Sequence, residues 1–197
     1  MKNKFLYIVA TFCVISAFIT GCASKPFNNS MSVNNSMSVS PDWPFYNSAE
    51  EIIEASKYVY SGTVTDISFE IIDYVTGKVD NSPDSDSTSR TLYTVYTVSV
   101  AENYKGESPA ETKIAIMGGL PGYKEEEQKE LIVSSKLLPD GSVGFAVEGV
   151  DVRLQVGCEY LFCTNRSESG FDRIINPQQF SHAPDSETAK NIIERLK

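Results

Sequence analysis

The chain has 197 residues, of which 41% are hydrophobic, and a formal net charge of −9 at pH 7. A chain of this length can bury the core of a single domain. Because an acidic protein is repelled by phosphate backbones and by anionic lipid headgroups, the charge argues against nucleic-acid binding and against flat adsorption on a membrane.

Residues 1–21 have the layout of a secretory signal peptide, since Lys2 and Lys4 precede an uncharged apolar stretch at 5–20. That stretch is shorter than the roughly 20 apolar residues of a typical spanning helix. A tilted helix or a locally thinned bilayer would accommodate it, so a membrane span stays open as an alternative. The motif Ile19-Thr20-Gly21-Cys22 at its end resembles the lipobox of bacterial lipoproteins.

The lipobox resemblance implies cleavage just before Cys22 and a diacylglyceryl group on its thiol. Cys13 lies in the same apolar stretch without a small residue before it, and we interpret it as part of that stretch. Each buried methylene contributes about 0.8 kcal/mol, and two acyl chains make a stable anchor where one is marginal. We therefore expect an extracytoplasmic protein, lipid-anchored to the cell membrane at the cell surface through Cys22.

Residues 22–41 are predicted to be a flexible linker. They contain the hexapeptide Asn-Asn-Ser-Met-Ser-Val twice, at 28–33 and 34–39. Such polar, low-complexity sequence has too little apolar surface to fold, and as a random coil it would span about 25 Å. A short adhesive motif is the alternative interpretation. A single β-rich domain is predicted to occupy 42–197.

The domain is predicted to start with a short helix. Ser48 and Glu51 form a capping box, in which Ser48 accepts from the amide of Glu51 and Glu51 reaches back to the amide of Ser48. A strand follows at 58–74, with a slip in its alternation near Gly62 that predicts a β-bulge. The apolar face of the helix consists of Ala49, Ile52, Ile53 and Ser56.

A second strand is predicted at 92–100, after a polar hairpin loop at 76–90. The face that carries Leu92, Tyr96 and Val98 is expected to be the buried one. A third strand at 112–117 and a short helix at 124–133 come next.

In the helix at 124–133, Glu125 is expected to face Lys129. After a turn at 139–141, a final helix begins at 184–186, with Ala189, Ile192, Ile193 and Leu196 on one face. Further β segments are predicted between the turn and that helix, at 143–147, 152–156, 159–164 and 171–175.

Three segments, 55–64, 96–106 and 156–162, together resemble the OB-type domains of netrin-like proteins and of tissue inhibitors of metalloproteinases. The resemblance implies a small open five-stranded barrel. Those inhibitors chelate zinc through a free N-terminal cysteine braced by disulfides. Because Cys22 would be lipidated and held away from the domain by the linker, the resemblance carries over the fold and not the inhibition.

Cys158 and Cys163 lie on one predicted strand, roughly 16 Å apart at about 3.3 Å per residue, which is too far for a disulfide between them. They are predicted to be small buried side chains. His182, the only histidine, is predicted to be an ordinary surface residue in a loop. The alternative is a thiol hydrolase that uses Cys158 or Cys163 with His182.

No cofactor or metal site is predicted. Asp80, Asp84 and Asp86 lack the spacing of a calcium loop, and we interpret them as a disordered, solvated loop. The glycines of 118–122 lack the Lys-Ser/Thr ending of a phosphate loop and are predicted to supply turns.

Four tyrosines form the candidate binding face, because open barrels of this type commonly bind ligands across exposed strands. We expect a non-enzymatic module that binds an envelope protein, a peptide or a glycan, and no nucleic acid. A solute-binding lipoprotein of a transporter is the further alternative, disfavoured because such proteins usually need two lobes. The four tyrosines are Tyr93, Tyr104, Tyr123 and Tyr160.

Overall fold

The computed structural model describes residues 44–137, 154–168, 170–174 and 176–197. The predicted signal peptide, Cys22, the linker, the turn at 139–141 and the strand at 143–147 lie outside these residues. The prediction of a mainly β domain with a helix at each end is confirmed. The elements are α1 (Ala49–Ala55), β1 (Tyr58–Asp73), β2 (Arg90–Lys105), β3 (Glu111–Met117), α2 (Glu125–Ser134), β4 (Glu159–Arg166), β5 (Asp172–Arg173), β6 (Ser181–His182) and α3 (Glu187–Leu196).

The strands form one sheet in the order β1-β2-β3-β5-β4-β6, and β1 also pairs with β4. This extra pairing makes the sheet ring-like. All the pairings are antiparallel except that of β3 with β5, which spans only Ile114–Ala115 opposite Asp172–Arg173. The short β5 is therefore the narrowest link in the ring.

The long β1–β2 hairpin bends at Gly62. Register shifts interrupt the pairing at three points, one of them between Ser61 and Gly62, which confirms the predicted bulge. Gly62 lies opposite Val100 of β2 and also opposite Tyr160 of β4. A Cβ at this position would lie 2.6 Å from Cγ1 of Val98, so the close approach of the two strands requires glycine.

Helix α1 begins as predicted, with one difference in its capping box. The Ser48 hydroxyl accepts from the Glu51 amide at 3.2 Å. The Glu51 carboxylate accepts instead from the Asn47 amide at 2.7 Å, so the expected bond to the Ser48 amide is wrong by one residue. The predicted apolar face is correct, since Ala49, Ile52 and Ser56 are buried.

Helix α3 packs beside α1. Ser186 caps it by accepting from the Ala189 amide at 3.2 Å. Ala189 and Ile192 are fully buried, as the helical spacing predicted. An ion pair between Arg195 and Glu50 joins the two helices. No helix in the described ranges is long and apolar enough to cross a membrane.

Strand β2 is buried on both faces, not on the Leu92 face alone. Leu92 packs with Phe69, Ile71 and Ile132 of α2, whereas Tyr93 belongs to a separate cluster. The sequence pattern predicted a single buried face because Thr97 and Ser99 suggested an exposed one. In that separate cluster Tyr93 packs with Ile72, Val95 and Ala115.

Three other details differ from the sequence predictions. Lys129 pairs with Glu126 at 2.8 Å and not with Glu125. Residues 154–156, the described end of the strand predicted at 152–156, have no strand pairing. Of the strand predicted at 171–175, the described residues 171–174 contain only the two-residue β5.

The loop between β1 and β2 is held by hydrogen bonds, so the prediction of a disordered loop is wrong. The Asp73 carboxylate accepts from the Ser87 hydroxyl at 2.6 Å and from the Val75 and Thr76 amides at 2.9 Å. These bonds, led by that from Ser87, hold the pKa of Asp73 below its usual range. Arg90 donates to the Ser82 carbonyl at 2.7 Å.

Candidate functional site

An ion pair with a buried carboxylate lies where β4 meets β5. Arg166, the last residue of β4, is in register with Asp172, the first residue of β5. The Arg166 Nε donates to Oδ1 of Asp172 at 2.8 Å, and Nη2 lies 3.5 Å from Oδ2. The Asp172 side chain is wholly buried, while that of Arg166 is 26% exposed. The pair therefore presents its cationic end to solvent.

Two neutral hydroxyls complete the environment of Asp172. The Tyr60 hydroxyl donates to Oδ2 at 2.9 Å, and the Thr112 hydroxyl donates to the same oxygen at 3.2 Å. Burial, together with the charge of Asp172, raises the pKa of Tyr60 well above its ordinary value. The tyrosine thus stays protonated and acts as a donor, and the buried carboxylate has partners from three other strands.

The guanidinium of Arg166 has a defined orientation. Its Cζ lies 4.5 Å from the centre of the Tyr58 ring, a distance typical of a cation–π contact. Its Nη2 also lies 3.5 Å from the Ser108 hydroxyl. The hydrogen bonds to Asp172 raise the pKa of Arg166 further, so the group is a permanent cation.

A cleft of about 410 Å³ opens beside this guanidinium. β5 pairs with β3 only at Ile114 and Ala115. The β3 residues before Ile114 therefore have no partner on this side among the described strands, and the cleft lies there. Apolar walls, two opposite exposed charges and the oriented cation therefore share one opening. Its lining consists of Pro109, Glu111, Thr112, Lys113, Arg166, Gly170 and Phe171.

None of the four candidate tyrosines lines this cleft. Tyr93 is buried in the cluster with Val95, whereas Tyr104, Tyr123 and Tyr160 are half-buried against the main core. The Tyr160 ring lies 5.9 Å from that of Phe162, and the Tyr123 ring lies 6.4 Å from that of Phe69. Tyr93 is thus in a different cluster from the other three.

His182 lies in β6 opposite Leu161 and is half-buried, so its placement on a surface loop is corrected. Its Nε2 donates to the Gln179 carbonyl at 2.6 Å. Burial lowers the pKa of its imidazole, which is therefore neutral at pH 7.

The two cysteines of the domain are both buried, as predicted. Cys163 is a free thiol with no exposed surface, and burial raises its pKa to about 12. Its backbone amide donates to the Phe180 carbonyl at 2.8 Å. Cys158 is likewise buried. The two are not bonded to each other.

The comparisons with known proteins assign no family to the chain. No protein-family model matches the chain, and no curated protein matches it with significant sequence similarity. Within the described ranges, no group of three or more His, Cys, Asp or Glu side chains is arranged to hold a metal ion.

The sequence analysis missed Arg166, Asp172 and Tyr60. Tyr60 and Asp172 are 112 residues apart, so local periodicity cannot relate them. One usable signal in the sequence was Gly170 between Arg166 and Asp172, because a glycine in a short segment between two strands is typical of a hairpin, which would bring these opposite charges together.

Proposed function

We propose that the chain is a lipoprotein of the bacterial cell envelope, anchored through diacylated Cys22, whose β domain is a non-enzymatic module for binding a protein, peptide or glycan. The lipobox at 19–22 and the polar repeats at 28–39 support the anchor and the tether. The observation that carries the binding function is the cleft beside Arg166, with its oriented cation and apolar walls.

The order of the strands supports an open barrel of the OB type. The strand order β1-β2-β3-β5-β4, the pairing of β4 with β1 and the position of α2 between β3 and β4 are compatible with such a barrel. Proteins of this type bind ligands on the face of the second and third strands and on the loop between the fourth and fifth. The cleft lies between β3 and the β4–β5 turn, in that region.

The chemistry of the thiol supports binding over hydrolysis. A nucleophilic cysteine needs an accessible thiolate. Cys163 has a pKa of about 12 and no exposed surface, so its thiolate is a negligible species at neutral pH. The neutral His182 donates to a carbonyl of its own segment.

The anchor is tested by fractionating cells that express the full chain or its Cys22→Ser variant. We expect the native protein in the detergent-soluble membrane fraction with a diacylglyceryl mass on its N-terminal peptide. The variant should be soluble or retain its signal peptide. Cys13→Ser is the control and should behave as the native protein does. The anchor is overturned if Cys22→Ser partitions as the native protein does and the native N-terminal peptide carries no lipid mass.

The binding function is tested on peptide and glycan arrays with the full chain in detergent micelles. Lys113→Glu reverses an exposed charge of the cleft, and Lys190→Glu makes the same change on exposed α3 as a matched control. We expect the native protein and the control to retain the same ligands and Lys113→Glu to lose them. The proposal fails when no ligand is retained, or when the two variants behave alike.

A further inference from the structure

One edge of the Arg166 guanidinium is occupied by Asp172, and the Nη1–Nη2 edge is only partly used. Nε and Nη2 form the edge that faces Asp172. Nη1 donates to none of the described residues, and Nη2 has, besides Asp172, a long contact of 3.5 Å with the Ser108 hydroxyl. The side chain lines the cleft. Because a guanidinium is planar and carries five N–H donors, its Nη1–Nη2 edge can donate to a second carboxylate in a bidentate pair, which would replace the long contact with Ser108.

The Nη1–Nη2 edge is oriented before any ligand arrives. The wholly buried carboxylate of Asp172 holds one edge, and the Tyr58 ring covers a face of the guanidinium at 4.5 Å. A group already held in its binding geometry loses little conformational entropy when a ligand binds. A planar donor held in this way therefore favours a ligand with a planar carboxylate over a ligand whose charge lies on a single mobile atom.

The exposed charges of the cleft select a ligand of mixed charge. Lys113 adds a second cation on β3, and Glu111 on the same exposed face of that strand adds an anion. An acidic glycan has only negative groups, which Glu111 would repel. A peptide has a C-terminal carboxylate for Arg166 and Lys113 and an ammonium or basic side chain for Glu111.

The walls and size of the cleft suit a short peptide. Pro109 and Phe171 provide apolar surface next to the charges, where a C-terminal side chain can pack. The volume of about 410 Å³ lies within the range of roughly 300–1,000 Å³ that is usual for ligand pockets.

We propose that the cleft binds the free C-terminus of a short peptide, with the carboxylate on the Nη1–Nη2 edge of Arg166 and a cationic group of the peptide facing Glu111. This inference rests on the proposed binding function and specifies its ligand class. Lys113 contributes to the same carboxylate, and Phe171 contacts the terminal side chain.

The test is calorimetric titration of the full chain in detergent micelles with Ala-Ala-Phe, its C-terminal amide, its N-acetyl form and glucuronate. We expect saturable binding of the free tripeptide. The amide should bind about tenfold more weakly or worse, since a charge-assisted hydrogen-bond pair is lost. The N-acetyl form should bind more weakly than the free tripeptide by a smaller factor, and glucuronate should not bind.

Exposed variants keep the test independent of folding, because truncation of Arg166 would leave Asp172 buried without its partner. Lys113→Gln should weaken the free acid more than the amide. Glu111→Gln should reduce the difference between the free amine and the N-acetyl form. Lys190→Gln, on exposed α3, is the control and should change neither.

The outcomes separate this inference from the function on which it rests. Equal binding of acid and amide, or glucuronate as the better ligand, overturns the peptide inference. So does the absence of saturable binding of every probe. In each case the binding function stands as long as Lys113→Glu still abolishes ligand capture on the arrays. Equal array behaviour of Lys113→Glu and Lys190→Glu overturns both.

Discussion

Arg166 donates from Nε to the carboxylate of Asp172 at 2.8 Å, across the point where β4 meets β5. The carboxylate is wholly buried and also accepts from Tyr60 of β1 and Thr112 of β3. One side chain thus connects four strands of the ring at its narrowest link. The same pair orients the cation that the cleft exposes.

Asp172→Asn is expected to lower the free energy of unfolding by about 2 kcal/mol, because the amide has a single acceptor oxygen. When that oxygen accepts from Tyr60 and Thr112, the amide NH2 group faces the Arg166 Nε–H and the charge-assisted bond is lost. Denaturant unfolding of the full chain measures the change. Asp185→Asn, at an exposed site before α3, should change stability by less than about 0.5 kcal/mol. An effect of Asp172→Asn no larger than that of the control would contradict a structural role for the pair.

Gly62→Ala is expected to destabilise the fold by about 1–3 kcal/mol, the usual range for added volume in a packed site. The new Cβ would lie 2.6 Å from Val98 Cγ1 and 2.8 Å from the Ser99 carbonyl oxygen, and a backbone atom cannot move aside freely. Thermal or denaturant unfolding measures the loss. Ser99→Ala alters an exposed side chain of the same strand pair and should be close to neutral. Equal midpoints for the two variants would refute this account of the bulge.

Cys163 is expected to react with a thiol reagent only when the protein unfolds, because its sulfur is buried and its pKa is about 12. Labelling under non-reducing conditions should rise with denaturant in parallel with the unfolding transition. Ser99→Cys, an exposed thiol on β2, should label at once in native buffer and serves as the positive control. Rapid native labelling of Cys163 would instead support the thiol hydrolase.

His182 is expected to make the native protein less stable as the pH falls below about 6.5, its ordinary pKa. Burial lowers its pKa in the folded state, so in this range the unfolded chain binds a proton that the folded chain does not. Stability attributable to His182 is therefore intact above the unfolded pKa and decreases as the pH falls through it.

The measurement for His182 is unfolding by urea at several pH values between about 5.5 and 7.5, for the native chain and for His182→Gln. The difference between the two curves isolates the imidazole from the carboxylates. We expect the native chain to lose stability relative to the variant as the pH falls. Parallel curves, or a relative gain at low pH, would disprove the effect of burial on this histidine.

Local sequence predicted the elements whose cause is local. The caps at Ser48 and Ser186 depend on amides three residues away, and the slip at Gly62 appears in the alternation of one strand. The partners of long exposed side chains were less predictable. Lys129 pairs with Glu126 and not with Glu125, since several rotamers of these side chains differ little in free energy.

The loop between β1 and β2 shows why composition misleads. Its Asp and Ser content is typical of a disordered segment, yet the carboxylate of Asp73, at the end of β1, gathers two amides and the Ser87 hydroxyl. Arg90 at the start of β2 then binds carbonyls of the loop. Short polar side chains either hydrogen-bond to water or hold a loop through hydrogen bonds within the protein. Only the spatial position of their partners decides between the two.

By itself the sequence determined the helices, the long strands and their bend, because capping, periodicity and the need for glycine act within a few residues. It also motivates the lipid anchor at Cys22, which stays a prediction. Only the tertiary structure decided the site. Tyr60, Thr112, Arg166 and Asp172 meet because β1 and β4 pair and the short β5 joins β3 to β4. A buried carboxylate is tolerated only where such distant donors converge, and closure of the ring brings them together.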